Sequence, residues 1–216
     1  MRNENNPTKI LNKIEELLKE FNPPVNSFEQ SIRRSELSIL ISIILSSRTK
    51  DQTTQKASER FFNKVKTIED ILKLSEKDIE DLIHPVGFYK QKAKNIKKLA
   101  FELKKKGGIP DTMEELVKLP GIGRKTANLV LSLIYNKPSI AVDIHVFRIS
   151  NRLGWVNSKN YEEVENKLKN FFDKKDWSRV NRILVGFGQT ICKPIKPNCN
   201  ICSVKDYCNY FKNNKN

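Results

Sequence analysis

The chain has 216 residues, enough to bury a core without disulfides and to form one large domain or two small, closely packed ones. Its 40 Lys and Arg against 25 Asp and Glu give a formal charge of +15, an excess that suits a polyanionic partner, nucleic acid first. The polar opening Met1–Pro7 reads as carrying no targeting signal. The longest apolar stretch, Leu37 to Leu45, is broken by Ser38 and Ser42 and falls far short of the roughly 20 residues a membrane span needs. A cytoplasmic, nucleoid-associated monomer with no transmembrane segment is expected.

Helical periodicity begins with Ile10, Ile14, Leu17 and Phe21, and Asn22-Pro23-Pro24 then turns the chain. Leu37–Leu45 is expected to be a buried core helix. Ile79, Leu82 and Ile83 continue the pattern, with Ser75 capping ahead of Asp78. Ala93, Ile96, Leu99, Ala100 and Leu103 mark a longer helix that Gly107-Gly108 ends. That helix carries Lys90, Lys92, Lys94, Lys97 and Lys98, opposed locally only by Glu102: either a solvated face or a track for a DNA backbone. Thr112 with Glu115 makes another capping box, Lys137-Pro138 is a second turning point, and Gly154 stops a later helix. Alternating strand patterns are absent, so the fold class is all-α, with ten or so short helices. The tail Lys212–Asn216 has nothing to bury and is expected to fray.

The segment Leu119-Pro120-Gly121-Ile122-Gly123-Arg124-Lys125-Thr126-Ala127 reads as helix, tight hairpin, helix. Gly121 and Gly123 permit positive φ and remove Cβ atoms, so N–H groups at the second helix's start can face an anion such as a DNA phosphate; an ordinary αα turn uses the same residues. Lys125 falls in the first turn, where the positive end of the helix dipole disfavours an ammonium, and a neutral amine is a nucleophile. Asp143 follows in Ala141-Val142-Asp143-Ile144-His145, where a new helix begins. Asp is a preferred N-cap, and a carboxylate can also take a proton from a lysine and steady positive charge on a sugar; both roles can coexist. His145 is expected to be a structural hydrogen-bonding group.

Cys192, Cys199, Cys202 and Cys208 are spaced C-x6-C-x2-C-x5-C, packing the four thiols into seventeen residues. In a reducing compartment such a cluster points to metal ligation, and four thiolates can hold either zinc or a cubane iron–sulfur cluster. Lys193 and Lys196, each followed by a proline, Pro194 and Pro197, would form a basic finger suited to a phosphate.

Together these residues resemble the endonuclease III family of DNA glycosylases, with its helix-hairpin-helix and Gly-Pro-Asp signature. The likeness runs from Leu45-Ser46-Ser47-Arg48-Thr49-Lys50-Asp51 through Gly87-Phe88-Tyr89, Leu119–Ala127 and Val142–Arg148 to the four cysteines. It implies a two-lobed helical fold: residues 29–137 as a six-helix barrel-like domain containing the hairpin, and residues 1–28 with 138–216 as an iron–sulfur domain. It implies Lys125 and Asp143 as the catalytic pair, and a [4Fe–4S] cluster on Cys192, Cys199, Cys202 and Cys208, zinc being the alternative. The implied partner is double-stranded DNA containing a damaged base or abasic site. The target nucleotide is extruded, because C1′ is out of reach while the base is stacked, and Arg48 and Phe88 are expected to plug and wedge the vacated stack. Gly121, Gly123, Arg124, Lys193 and Lys196 complete the expected DNA contacts.

The implied activity is that of a bifunctional glycosylase and AP lyase: excision of oxidised pyrimidines, then β-elimination through a lysine Schiff base. Two alternatives stand beside it, a glycosylase for thymine or uracil mispaired with guanine and a non-catalytic helix-hairpin-helix DNA-binding protein. The family often has Gln where this chain has Arg48, which bears on the opposite base, and many members carry Thr where Ile144 stands. Relatives that only remove a base, such as the adenine-specific mismatch branch, lack the lysine retained here as Lys125.

Overall fold

The computed structural model describes residues 6–32 and 35–214. Met1–Asn5, part of the stretch read as free of a targeting signal, and Lys215 and Asn216 of the expected frayed tail lie outside the described residues. Thirteen α-helices occur among those described: α1 (Pro7–Leu18), α2 (Pro24–Ile32), α3 (Glu36–Ser46), α4 (Asp51–Lys64), α5 (Ile68–Lys73), α6 (Glu76–Ile83), α7 (Tyr89–Lys106), α8 (Met113–Leu116), α9 (Arg124–Leu133), α10 (Ile144–Leu153), α11 (Tyr161–Phe171), α12 (Trp177–Thr190) and α13 (Asn209–Asn213). No strand appears among the described residues. The surplus over the expected ten comes from α5, α8 and α13, of 6, 4 and 5 residues, too short to show a period. Lys212 and Asn213 close α13 rather than fray.

Local chemistry sets the boundaries. Ser35, Thr67 and Ser75 make reciprocal capping boxes for α3, α5 and α6, while Thr112 and Asn160 cap α8 and α11. Gly107 and Gly154 end α7 and α10 in the left-handed conformation.

The chain divides into two compact units, Ser27–Lys137 and Met1–Asn26 with Pro138–Asn216. In the Ser27–Lys137 unit, α3 is the central element. Ser38 to Leu45 are all buried, and Phe61, Ile96, Leu99 and Val130 pack around the helix from α4, α7 and α9. Its two buried serines are satisfied: Ser38 donates to Ile32 O at 2.6 Å and Ser42 to Ser58 Oγ at 3.0 Å. In the discontinuous unit, α12 is the hub. Its Val180, Ile183, Leu184 and Phe187 meet α1 through Leu11 and Ile14 and α10 through Val146 and Ile149. No described helix is long and apolar enough to cross a membrane.

Candidate active site

The hairpin joins α8 to α9 through buried Leu119 and Ile122. Gly121 adopts φ +79°, and a Cβ there would fall 3.0 Å from Asn95 Nδ2 on α7, so this position needs glycine twice over. Gly123 departs from the positive-φ expectation. It is extended, at φ −95°, and its missing Cβ leaves open space with nothing within 4 Å. As N-cap of α9 it offers no side-chain acceptor, so the first-turn N–H groups have no side-chain cap. Lys125 is the second residue of α9, half-buried, with no hydrogen bond or ion pair among the described residues of its unit; Arg124 beside it is also half-buried.

Asp143, in the other unit, is the N-cap of α10. Its Oδ1 accepts from His145 N and Val146 N, both at 2.9 Å, while Oδ2 has no partner among the described residues of the unit. The capping role is thus realised with one oxygen to spare. Ile144 next to it is 62% exposed. His145 Nδ1 meets Arg148 Nη2 at 3.2 Å, which fits the structural role expected of it.

The four thiols are unpaired and half-buried, and they line one apolar hollow with Ile149, Leu153, Phe187, Ile191 and Val204. Burial pushes the Cys202 thiol up to about 11 and raises Cys199 and Cys208 too, so thiolates here call for a cationic partner. An all-sulfur donor set around one desolvated hollow fits a metal–sulfur group. Among the described residues, no three His, Cys, Asp or Glu side chains converge to hold a single metal ion.

Two arginines that the sequence reading passed over latch this loop to α10. Arg148 donates to Cys192 O at 2.9 Å. Arg152 donates to Cys192 Sγ at 3.4 Å and to the carbonyls of Lys193 and Pro194, each at 2.7 Å, and lies 4.3 Å from the Tyr210 ring centroid. With His145 they form a stripe at i, i+3, i+7, the signal that could have flagged them. Lys193 and Lys196 on this loop are exposed, with Lys196 at φ +50°.

Arg48 and Phe88 come together although forty residues separate them. The guanidinium lies 5.3 Å from the ring centroid, and both residues sit in the left-handed region, at φ +53° and +58°. Such backbones cost on the order of 1 kcal/mol or more each and persist only where surroundings hold them. Phe88 is 63% exposed, so it is no core residue. The lysine run on α7 splits. Lys90, Lys94 and Lys98 face solvent, whereas Lys97 donates to Leu72 O at 2.6 Å and Lys92 is buried, so the run is not one continuous track. Lys92 stands in helical register with Tyr89, Ala93 and Ile96, a periodicity that places it on the apolar face.

Comparisons with known proteins agree with this geometry. Residues 41–174 match the profile of the HhH-GPD superfamily of base excision DNA repair proteins. Endonuclease III of Thermotoga maritima is 43% identical over 202 residues, 92% of this chain and 93% of that protein; the Rickettsia prowazekii enzyme is 39% identical over 94% and 96%. Among solved structures, a non-covalent endonuclease III–DNA complex aligns with a TM-score of 0.84 at 34% identity, covering 96% of this chain and 97% of that one. A thermostable thymine-DNA glycosylase aligns at 0.75 and 27% identity, over 92% and 98%. The chain therefore belongs to the HhH-GPD superfamily of base excision DNA repair proteins and, within it, to the endonuclease III family.

Proposed function

We propose that this protein removes a damaged pyrimidine from double-stranded DNA and then cuts the strand, with Lys125 as nucleophile and Asp143 as its carboxylate partner. The observation that carries the assignment of Lys125 is its placement: a half-buried lysine in the first turn of α9, directly after a hairpin whose N–H groups no side chain caps. A phosphate held by those groups would bring deoxyribose to the amine. Lys125 Nζ attacks C1′, the base leaves with the electrons of the glycosidic bond, and the sugar ring opens to a Schiff base. Loss of a C2′ proton then expels the 3′ phosphate. Asp143 Oδ2, the oxygen spared by the cap, takes the proton from the Lys125 ammonium and steadies positive charge on the sugar.

Arg48 and Phe88 fill the stack after the nucleotide leaves it, and Gly123, Arg124, Lys193 and Lys196 grip the backbone. In the domain assignment that accompanies this reading, residues 29–137 form the barrel-like lobe and the remainder the cluster-bearing lobe. Cys192, Cys199, Cys202 and Cys208 would hold a [4Fe–4S] cluster, supported by the family and by the thiol-lined hollow. When bound, it cross-links the loop and stiffens the Lys193–Lys196 finger.

Borohydride trapping on abasic and oxidised-pyrimidine DNA tests the nucleophile. Lys125→Gln is expected to abolish the covalent adduct while salt-sensitive DNA binding persists, and undiminished trapping would overturn the assignment. The likeness to a thymine-DNA glycosylase favours one second reading, excision of thymine or uracil opposite guanine. A mismatch panel with wild type and Arg48→Gln decides between them.

A further inference from the structure

Lys92 is a buried cation that the reaction above does not use. It is 7% exposed, and burial together with the charge of Lys125 lowers its pKa to about 8. A buried ammonium is tolerated where its donors are met, and here all three are. Nζ donates to Leu45 O at 2.8 Å, Ser47 O at 2.6 Å and Thr49 Oγ1 at 3.3 Å. The two carbonyls lie at the C-terminal end of α3, where orphan acceptors and the helix dipole favour a cation. The third partner extends the contact. Thr49 Oγ1 donates to Ser47 O at 3.2 Å and accepts from Gly87 N at 3.1 Å, tying the loop after α3 to the loop before α7. Those loops touch so closely that a Cβ on Gly87 would stand 2.5 Å from Arg48 O. Arg48 and Phe88, both in left-handed backbone, are carried on these two loops.

We propose that Lys92 is a positioning residue that, through Thr49 and the close approach at Gly87, locks Arg48 and Phe88 into one preassembled wedge. The inference rests on the wedge role given to those two residues above. A wedge entering a base stack is effective only if its backbone is already fixed, since ordering two loops during insertion would draw on the free energy that drives extrusion. The clamp supplies that order before DNA arrives.

The test is a double-mutant cycle on single-turnover excision from damaged duplex, combining Lys92→Met with Phe88→Ala, beside hydrogen exchange of the free protein. Lys92→Met is expected to slow excision roughly tenfold, and the double variant to be scarcely slower than the worse single one, because both act through one wedge. Exchange should quicken in residues 46–49 and 86–89 while the middle of α7 stays protected. Lys125 is close enough for its charge to reach Lys92, and the coupling is mutual, so Lys92→Met can itself move the limbs of the pH–rate profile, whereas a variant that keeps both charges should leave them in place. Thr49→Val, which keeps the ammonium and removes the linking hydroxyl, should shift rate and exchange in the same direction; it carries the test if Lys92→Met fails to fold. Additive losses, a pH profile displaced in Thr49→Val, or unchanged exchange would overturn the clamp. A Phe88→Ala variant with wild-type rate would instead overturn the wedge reading, and the clamp with it.

Discussion

Asp143 caps α10 and is the proposed carboxylate partner of Lys125, two roles that one substitution can pull apart. Asn caps a helix as well as Asp does, so Asp143→Asn should change stability by less than about 0.5 kcal/mol, while losing the free carboxylate oxygen should slow excision by roughly a hundredfold or more. Asp143→Ala loses both functions and should also cost about 1 kcal/mol of stability. Urea unfolding beside single-turnover kinetics reads both quantities, and equal activity in wild type and Asp143→Asn would leave Asp143 with the cap alone. The cap was legible in the sequence because an N-cap is a local device. Lys92 was not, since its acceptors lie more than forty residues away and nothing near it in the chain announces them.

The two glycines of the hairpin behave differently as parts of one element. Gly121→Ala forces a left-handed alanine against Asn95 and should destabilise the protein by about 1–2 kcal/mol. Gly123→Ala meets open space and an ordinary φ, so its stability should change by less than about 1 kcal/mol. Its methyl would stand in front of the uncapped end of α9, and DNA affinity should fall roughly tenfold. Binding and melting measured on the same preparations separate the pair, and an unaltered affinity would remove the hairpin from the DNA contacts. The Gly-x-Gly spacing pointed to the turn, but only the backbone angles tell which glycine makes it and which clears the space before it. The cysteine loop was read from spacing in the same way, whereas its Arg148 and Arg152 latches depend on packing between α10 and the loop. Purified protein should be brown and contain about four irons per chain; colourless protein with stoichiometric zinc would replace the cluster with the other ligation chemistry.

Taken over the whole molecule, the +15 charge sets an ionic-strength response. Log affinity for duplex DNA should fall with log salt by about 0.9 per neutralised phosphate, and Lys193→Ala should reduce that slope by about one. A slope unmoved by Lys193→Ala would take the finger out of the interface, and a flat response would remove the electrostatic argument. The all-helical class was legible because amphipathic periods recur along the chain. Which helices share a core was not, because that pairing joins residues far apart in sequence.

The discontinuous unit has a consequence for synthesis. The apolar face of α1, Ile10, Leu11, Ile14 and Leu18, is covered by α12, which the ribosome makes last but for the cysteine loop and α13. At translation rates of about 5–20 residues per second, α1 waits on the order of ten seconds or longer for its partner while the contiguous Ser27–Lys137 segment can already condense. The nascent chain therefore trails an uncovered greasy helix through most of its birth, a natural point of engagement for a chaperone and a vulnerability when translation stalls.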